Sequence, residues 1–106
     1  MIPAYKIVRH PNVSGDLLDI AFLIADYAGI EIAVRKVDEI EMAVSKLADL
    51  PHVGSLRHEI AEGLRAIPAA GKAVICFVVD DDHNEVRIMA IGYAGSDWIS
   101  ETKART

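Results

Sequence analysis

Two long apolar segments, Lys72–Val79 and Val86–Tyr93, are separated only by Asp80-Asp81-Asp82-His83-Asn84-Glu85 and leave this chain few ways to fold. Side chains alternate between the two faces of a strand. In the first segment Ala73, Ile75, Phe77 and Val79 fall on one face, and Lys72, Val74, Cys76 and Val78 on the other. Both faces are apolar, the pattern of a strand covered on both sides. Strict alternation in the second segment puts Val86, Ile88, Ala90 and Gly92 on one face. It puts Arg87, Met89, Ile91 and Tyr93 on the other, where polar handles suit a partner better than a core. The connection is too acidic to bury, so the pair is a hairpin.

The chain of 106 residues fits a single domain large enough for one core. It is 52% hydrophobic, with a mean hydropathy of +0.25. No apolar run approaches the ~20 residues of a membrane helix. The start, Met1-Ile2-Pro3-Ala4-Tyr5-Lys6, lacks the regions of a signal peptide. A cytoplasmic protein is expected, with part of its apolar surface covered by another chain.

The net charge is −5, and the cations Lys6, Arg9, Arg35, Lys36, Lys46, Arg57, Arg65, Lys72, Arg87, Lys103 and Arg105 form no stripe. That argues against direct nucleic-acid binding, whose affinity rests on neutralising phosphates. The single cysteine, Cys76, excludes an intrachain disulfide and a cysteine-cluster metal site, and its apolar setting reads as a buried thiol.

Tyr5-Lys6-Ile7-Val8-Arg9 reads as a short strand. A helix is expected from Pro11 to a stop at Gly29, with Leu17, Leu18, Ala21, Ile24, Ala25 and Ala28 along one face. Ile20, Phe22 and Leu23 widen that face almost all round. A second helix runs from Glu31 to Leu50, with Ala33, Val37, Ile40, Val44, Leu47 and Ala48 as its stripe and Pro51 as its block. With only Gly29 between them, the two form an antiparallel hairpin. Ser55–Ala61 is ambiguous, Leu64–Ile67 is a short strand ended by Pro68, and Trp98-Ile99 is an apolar pair on a polar tail, Ser100–Thr106. The order β-α-α-β-β-β describes an α+β domain, a helical hairpin packed on a mainly antiparallel sheet.

Motifs for chemistry are sparse. The acidic connection lacks the glycine and terminal glutamate of an EF-hand loop. His10, His52, His58 and His83 show no metal-ligand spacing. No nucleophile elbow, phosphate loop or dinucleotide fingerprint occurs, and no cofactor is expected. One set remains: Arg65, Arg87 and Tyr93 lie on strands that could share a sheet face, where two guanidiniums and a phenol suit a phosphate, although spacing alone favours solvated or partner-facing polar contacts.

The order of elements, with Tyr5-Lys6-Ile7, His10-Pro11, Asp16-Leu17, Ile20, Ala33, Ile40, Leu47, Pro51, Gly54, Gly63-Leu64-Arg65, Val86, Ile88, Ile91 and Asp97, resembles the RelE/ParE toxin superfamily of type II toxin–antitoxin systems over nearly the whole chain. The resemblance implies one of two activities, mRNA cleavage on the ribosome or poisoning of DNA gyrase. The nuclease branch resembles a basic sheet face. Here Val74 and Ser96 stand at two positions often held by arginine, Gly95 at another often basic one, and Tyr93 where a histidine or other polar residue is common. Catalysis of that kind rests on cationic stabilisation of phosphate, so the resemblance points to the ParE-like branch. Departures from that branch are Ala73, where an aromatic is common, and Tyr93-Ala94-Gly95-Ser96-Asp97 in place of His-Gly-Arg-Arg-Asp.

The resemblance implies a non-enzymatic gyrase inhibitor of the plasmid-stabilising kind, neutralised by a ParD-like antitoxin with a ribbon-helix-helix DNA-binding part. Operator DNA is then met only through the antitoxin. Two alternatives are a ribosome-dependent endoribonuclease using Arg65, Arg87 and Tyr93, and an inactive module that serves only as co-repressor. The residues expected to meet antitoxin or target are Arg65, Met89, Ile91, Tyr93 and Trp98. On this reading, Met89→Asp and Ile91→Asp weaken antitoxin binding more than Arg87→Ala does, whereas Ile75→Asp unfolds the domain.

Overall fold

The computed structural model describes residues 4–106, so the reading of Met1-Ile2-Pro3 lies outside the described residues. The elements are β1 (Lys6–Arg9), α1 (Val13–Ala28), α2 (Ile30–Lys46), β2 (Ser55–Leu56), β3 (Leu64–Ala69), β4 (Ala73–Asp80), β5 (Glu85–Tyr93) and α3 (Trp98–Arg105). They form an α+β fold on a five-stranded sheet of order β1-β5-β4-β3-β2. All neighbours are antiparallel except β1, which runs parallel to β5.

The helical hairpin covers one sheet face. Gly29, at a φ of 95°, supplies the sharp turn between α1 and α2. Ile20, Ile24, Ala33, Ile40, Val44 and Leu47 pack on Ile75, Phe77, Val86, Ile88 and Ile91. The buried line of α1 is Val13, Ile20 and Ile24, with Leu17 and Ala25 half-buried. Leu18, expected within it, is 56% exposed. The second sheet face carries a smaller core of Ile60, Leu64, Cys76 and Ala90, with Trp98 against it.

Helix α1 begins at Val13 rather than Pro11, and α2 ends at Lys46, short of the expected Leu50. Three further assignments differ from the sequence reading. Pro68 lies inside β3, opposite Val74, rather than ending it. Strand β2 pairs only with Ala66 and Arg65, so Pro68 sits on an edge where no neighbour needs its missing N–H. Part of the ambiguous stretch supplies that short β2. The expected polar tail is helix α3. Trp98 anchors it over Gly92, where an added Cβ would lie 2.3 Å from the Trp98 Cβ, and Thr102 is fully buried with its hydroxyl donating to the Trp98 carbonyl.

The largest departure is inside β5. Its partners on β4 step from Ala90 opposite Cys76 to Ile88 opposite Phe77, leaving Met89 as an extra residue. A bulge of this kind reverses the facing of everything beyond it. Val86 and Ile88 face the helical hairpin, and past the bulge Ile91 and Tyr93 do so instead of Ala90 and Gly92.

The bulge occurs where β1 has ended and the β5 edge is open. Two side chains close it. Asp16, in the first turn of α1, accepts from the Ile91 N–H at 3.0 Å, and Arg105, at the end of α3, donates to the Met89 carbonyl at 3.2 Å. Arg105 also grips Asp16 with both guanidinium nitrogens, at 2.6 and 2.8 Å. The side chains are only 12% and 9% exposed. Removing one partner strands the other charge and an orphaned backbone group. Asp16→Ala is therefore expected to lower unfolding stability by about 3 kcal/mol, read from denaturant midpoints, with Arg105→Ala costing a similar amount. A change below about 0.5 kcal/mol in both would show that the clamp does not hold the fold.

Candidate interaction surfaces

The residues proposed for phosphate chemistry do not converge. Arg65 lies opposite Phe77 and Tyr93 opposite Ala73, so both side chains point to the helical-hairpin side, at opposite ends of the β4 register. Arg87 lies opposite Val78, on the other face. Each has its own partners. Arg65 reaches the Val53 carbonyl at 3.5 Å. Arg87 meets Asp80 at 3.2 Å and Glu85 at 3.3 Å. The Tyr93 hydroxyl lies 2.8 Å from that of Tyr27. That hydrogen bond, then burial, pushes the Tyr93 phenol up to about 12, which makes it a weaker proton donor than an ordinary tyrosine and keeps it protonated at neutral pH.

The expected partner face of β5 is divided in the same way. Ile91 is 3% and Tyr93 6% exposed, both in the main core, because the bulge turns them inward. Met89 and Arg87 remain on the second sheet face. There they line an open groove of about 470 Å³ with Val8, His10, Val78 and Arg105. Trp98 is half-buried, and the Arg57 guanidinium lies 5.6 Å from its ring centre. Among these expected contact residues, Met89 keeps an accessible apolar side chain on a groove. Val74 is half-buried in the second core, and Gly95 and Ser96 form the turn after β5, where the Ser96 hydroxyl donates to the Tyr93 carbonyl.

The hairpin tip gathers the remaining polar residues. Tyr5 donates to Asp81 at 2.6 Å, and the His52 ring nitrogen is 2.8 Å from the same oxygen. His83 and Arg87 hold Asp80. Asp81 is pulled below the usual carboxylate range by the Tyr5 hydrogen bond first and by His52 after it, and Asp80 by its bond to His83. The tip ties the hairpin to the N-terminal strand and the α2–β2 loop. Among the described residues no group of three or more His, Cys, Asp or Glu could hold a metal, and burial pushes the Cys76 thiol up, as suits an inert one.

The surface the sequence reading missed lies on the helical hairpin. Phe22 is 66%, Ile30 75% and Val34 56% exposed. With Ala21, Ala25, Ala33 and Val37 they form an apolar groove of about 300 Å³ between α1 and α2, in which Asp38 is the one charged side chain. Its signal was present: α1 is apolar almost all round, and Ile30 and Val34 stand off the α2 stripe. A helix apolar on every side is normally enclosed.

The family model of the ParE toxin of a type II toxin–antitoxin system, parDE, matches residues 7–98. No curated protein sequence matches the chain significantly. Among solved structures the chain is similar to a chain of the chromosomal ParDE system of P. aeruginosa, with 21% identity, a TM-score of 0.72 and coverage of 85% of this chain and 96% of that one. It is also similar to a chain of the toxin–antitoxin complex RelBE2 from Mycobacterium tuberculosis, with 21% identity, a TM-score of 0.59 and coverage of 91% and 98%. A mutant of the E. coli toxin RelE in the free state gives 10% identity, a TM-score of 0.66 and 96% coverage of both chains. At these identities the structural likeness concerns the fold.

Two measurements test this placement. Ile91→Asp buries an unpaired charge and is expected to abolish cooperative unfolding, as Ile75→Asp does, whereas Met89→Asp leaves the thermal transition in place. Equal melting of both variants would put Ile91 back on the surface. For the hairpin tip, the lowered carboxyls mean that the unfolded chain takes up these protons first. Their stabilisation is therefore complete above the ordinary carboxylate pKa, and it is lost as pH falls through the lower folded values. The denaturation midpoint is expected to drop on acidification below about pH 4, with a shallower drop in Asp81→Asn.

Proposed function

The chain belongs to the ParE toxin family of type II toxin–antitoxin systems, and on that premise we propose that it arrests growth by binding DNA gyrase, without bond-making chemistry of its own, and is neutralised by a cognate ParD-like antitoxin. The apolar α1–α2 groove carries the antitoxin half of this reading, and the family membership supports the gyrase half. Its exposed Phe22, Ile30 and Val34 match what the apolar face of an amphipathic helix needs, with anchors about one turn apart. The antitoxin is read as supplying that helix, and its ribbon-helix-helix part as meeting operator DNA.

The scattering of Arg65, Arg87 and Tyr93 supports the non-enzymatic half. A phosphate-cleaving site requires cations converging on one place, and here each cation already has a partner. The likeness to RelE-type folds does not alter that, because fold does not determine activity. No helix among the described residues is long and apolar enough to cross a membrane, and a cytoplasmic site of action accords with a gyrase target.

The direct test is supercoiling by purified gyrase with and without the toxin, with cleavage complexes trapped by detergent. Linear DNA that accumulates with toxin and disappears on adding antitoxin is the expected result. Untouched supercoiling at large toxin excess sinks the gyrase assignment and makes mRNA cleavage on ribosomes the next measurement. For the groove, Phe22→Asp places a charge on an already exposed position. It is expected to leave growth arrest intact and weaken antitoxin binding by about 30-fold or more, the effect of losing one interface hot spot. Arg87→Ala is expected to change antitoxin binding little.

A further inference from the structure

Helix α1 is exposed on two flanks, and they differ in chemistry. The flank toward α2 is the apolar groove. The flank toward α3 carries Leu23, 47% exposed, and Tyr27, 60% exposed, beside Asp19 and Asp26. Across from it stand Tyr93, Ser96 and Glu101, and between them lies a cleft of about 110 Å³ with Ile20 and Ile91 beneath. The cleft has room for one long side chain. Asp19 and Glu101 at its mouth are exposed, and neither is within ion-pair distance of a cation among the described residues, while the Glu101 charge acts on Arg105 one helical turn away. Asp16, by contrast, is committed to Arg105 and Ile91.

We propose that this α1–α3 cleft is the face that meets the toxin's target, taking an arginine or lysine side chain from a basic surface of a DNA-handling protein while Leu23 packs beside it. Tyr27, whose ring carries the Lys72 ammonium at 5.8 Å and whose hydroxyl meets that of Tyr93, borders the cleft without lining it. The inference rests on the gyrase reading for the identity of the target. Three features carry it. The pocket combines apolar walls with a carboxylate rim, which suits a cation on an apolar stem. The whole chain carries a net charge of −5, and proteins that grip DNA present cationic surfaces because phosphate neutralisation dominates their affinity. The two flanks of α1 also have different complementarity, so the mainly apolar groove and the acidic cleft select different partners.

The test pairs two readouts on the intact chain. Growth arrest is scored on induced expression, and binding to purified gyrase holoenzyme is measured at low and high salt. The double variant Asp19→Arg/Glu101→Gln is compared with wild type, with Asp19→Glu as the conservative control and thermal melting to confirm folding. The expected result is a loss of killing and of gyrase affinity by about 30-fold or more, retention in Asp19→Glu, unchanged antitoxin affinity, and wild-type gyrase binding that weakens at high salt. Full killing by the double variant overturns the cleft assignment. If wild type kills without binding gyrase, the gyrase reading fails. The cleft then stands or falls on killing by the double variant alone. Wild type that does not kill overturns both.

Discussion

The Asp16–Arg105 clamp is the contact on which the rest of the arrangement depends. It meets the backbone at the one place where β5 has lost both its regular register and its neighbour β1. An open strand edge with unpaired polar groups invites water or a foreign strand. Here a carboxylate takes the free N–H and a guanidinium takes the free C=O, and the two then satisfy each other. The hydrogen bond to Asp16 holds the Arg105 proton more tightly than usual. Because Asp16 comes from the helical hairpin and Arg105 from α3, the clamp also joins the layers on the two sides of the sheet.

That join determines which surfaces the molecule can offer. Pinning α3 across the end of β5 covers Gly92, Ala90 and Cys76 and builds the second core. It leaves α1 standing between two neighbours without being enclosed by either. The apolar side chains of α1 are more than the sheet can bury, and the remainder is divided into a mainly apolar groove and an acidic cleft. A toxin must recognise a target and also be silenced, and two chemically distinct faces on one helix suit those separate demands.

The parts legible in the sequence are those where a single physical period runs unbroken. Strand β4 alternates faithfully from Ala73 to Val79, and the Gly29 turn and the α2 stripe can be read directly. Tyr93 and Ile91 were misplaced because strict alternation was carried through Met89, and a bulge leaves no local signature in a run as uniformly apolar as Ile88-Met89-Ala90-Ile91. Helix α3 was missed for another reason. It is short and polar, and it is held by tertiary contacts of Trp98, Thr102 and Arg105 rather than by an amphipathic stripe. Arg65, Arg87 and Tyr93 do not share one face as expected, because residue type was legible while facing was not. The apolar groove had a signal in the excess hydrophobicity of α1, but its location needed the hairpin in three dimensions.

The clamp joins residues 89 positions apart in the chain, which sets an order in time as well as in space. Domains are made from the N-terminus onward, and local contacts form before distant ones. Every residue lining the apolar groove lies between Ala21 and Asp38, so that surface belongs to the first elements synthesised. The acidic cleft needs Ile91, Tyr93, Ser96 and Glu101 as well as α1, and it is assembled only when the distal third of the chain has folded back. On the proposed assignment of the two faces, a nascent chain holds every residue of the antitoxin groove well before it holds those of the target cleft.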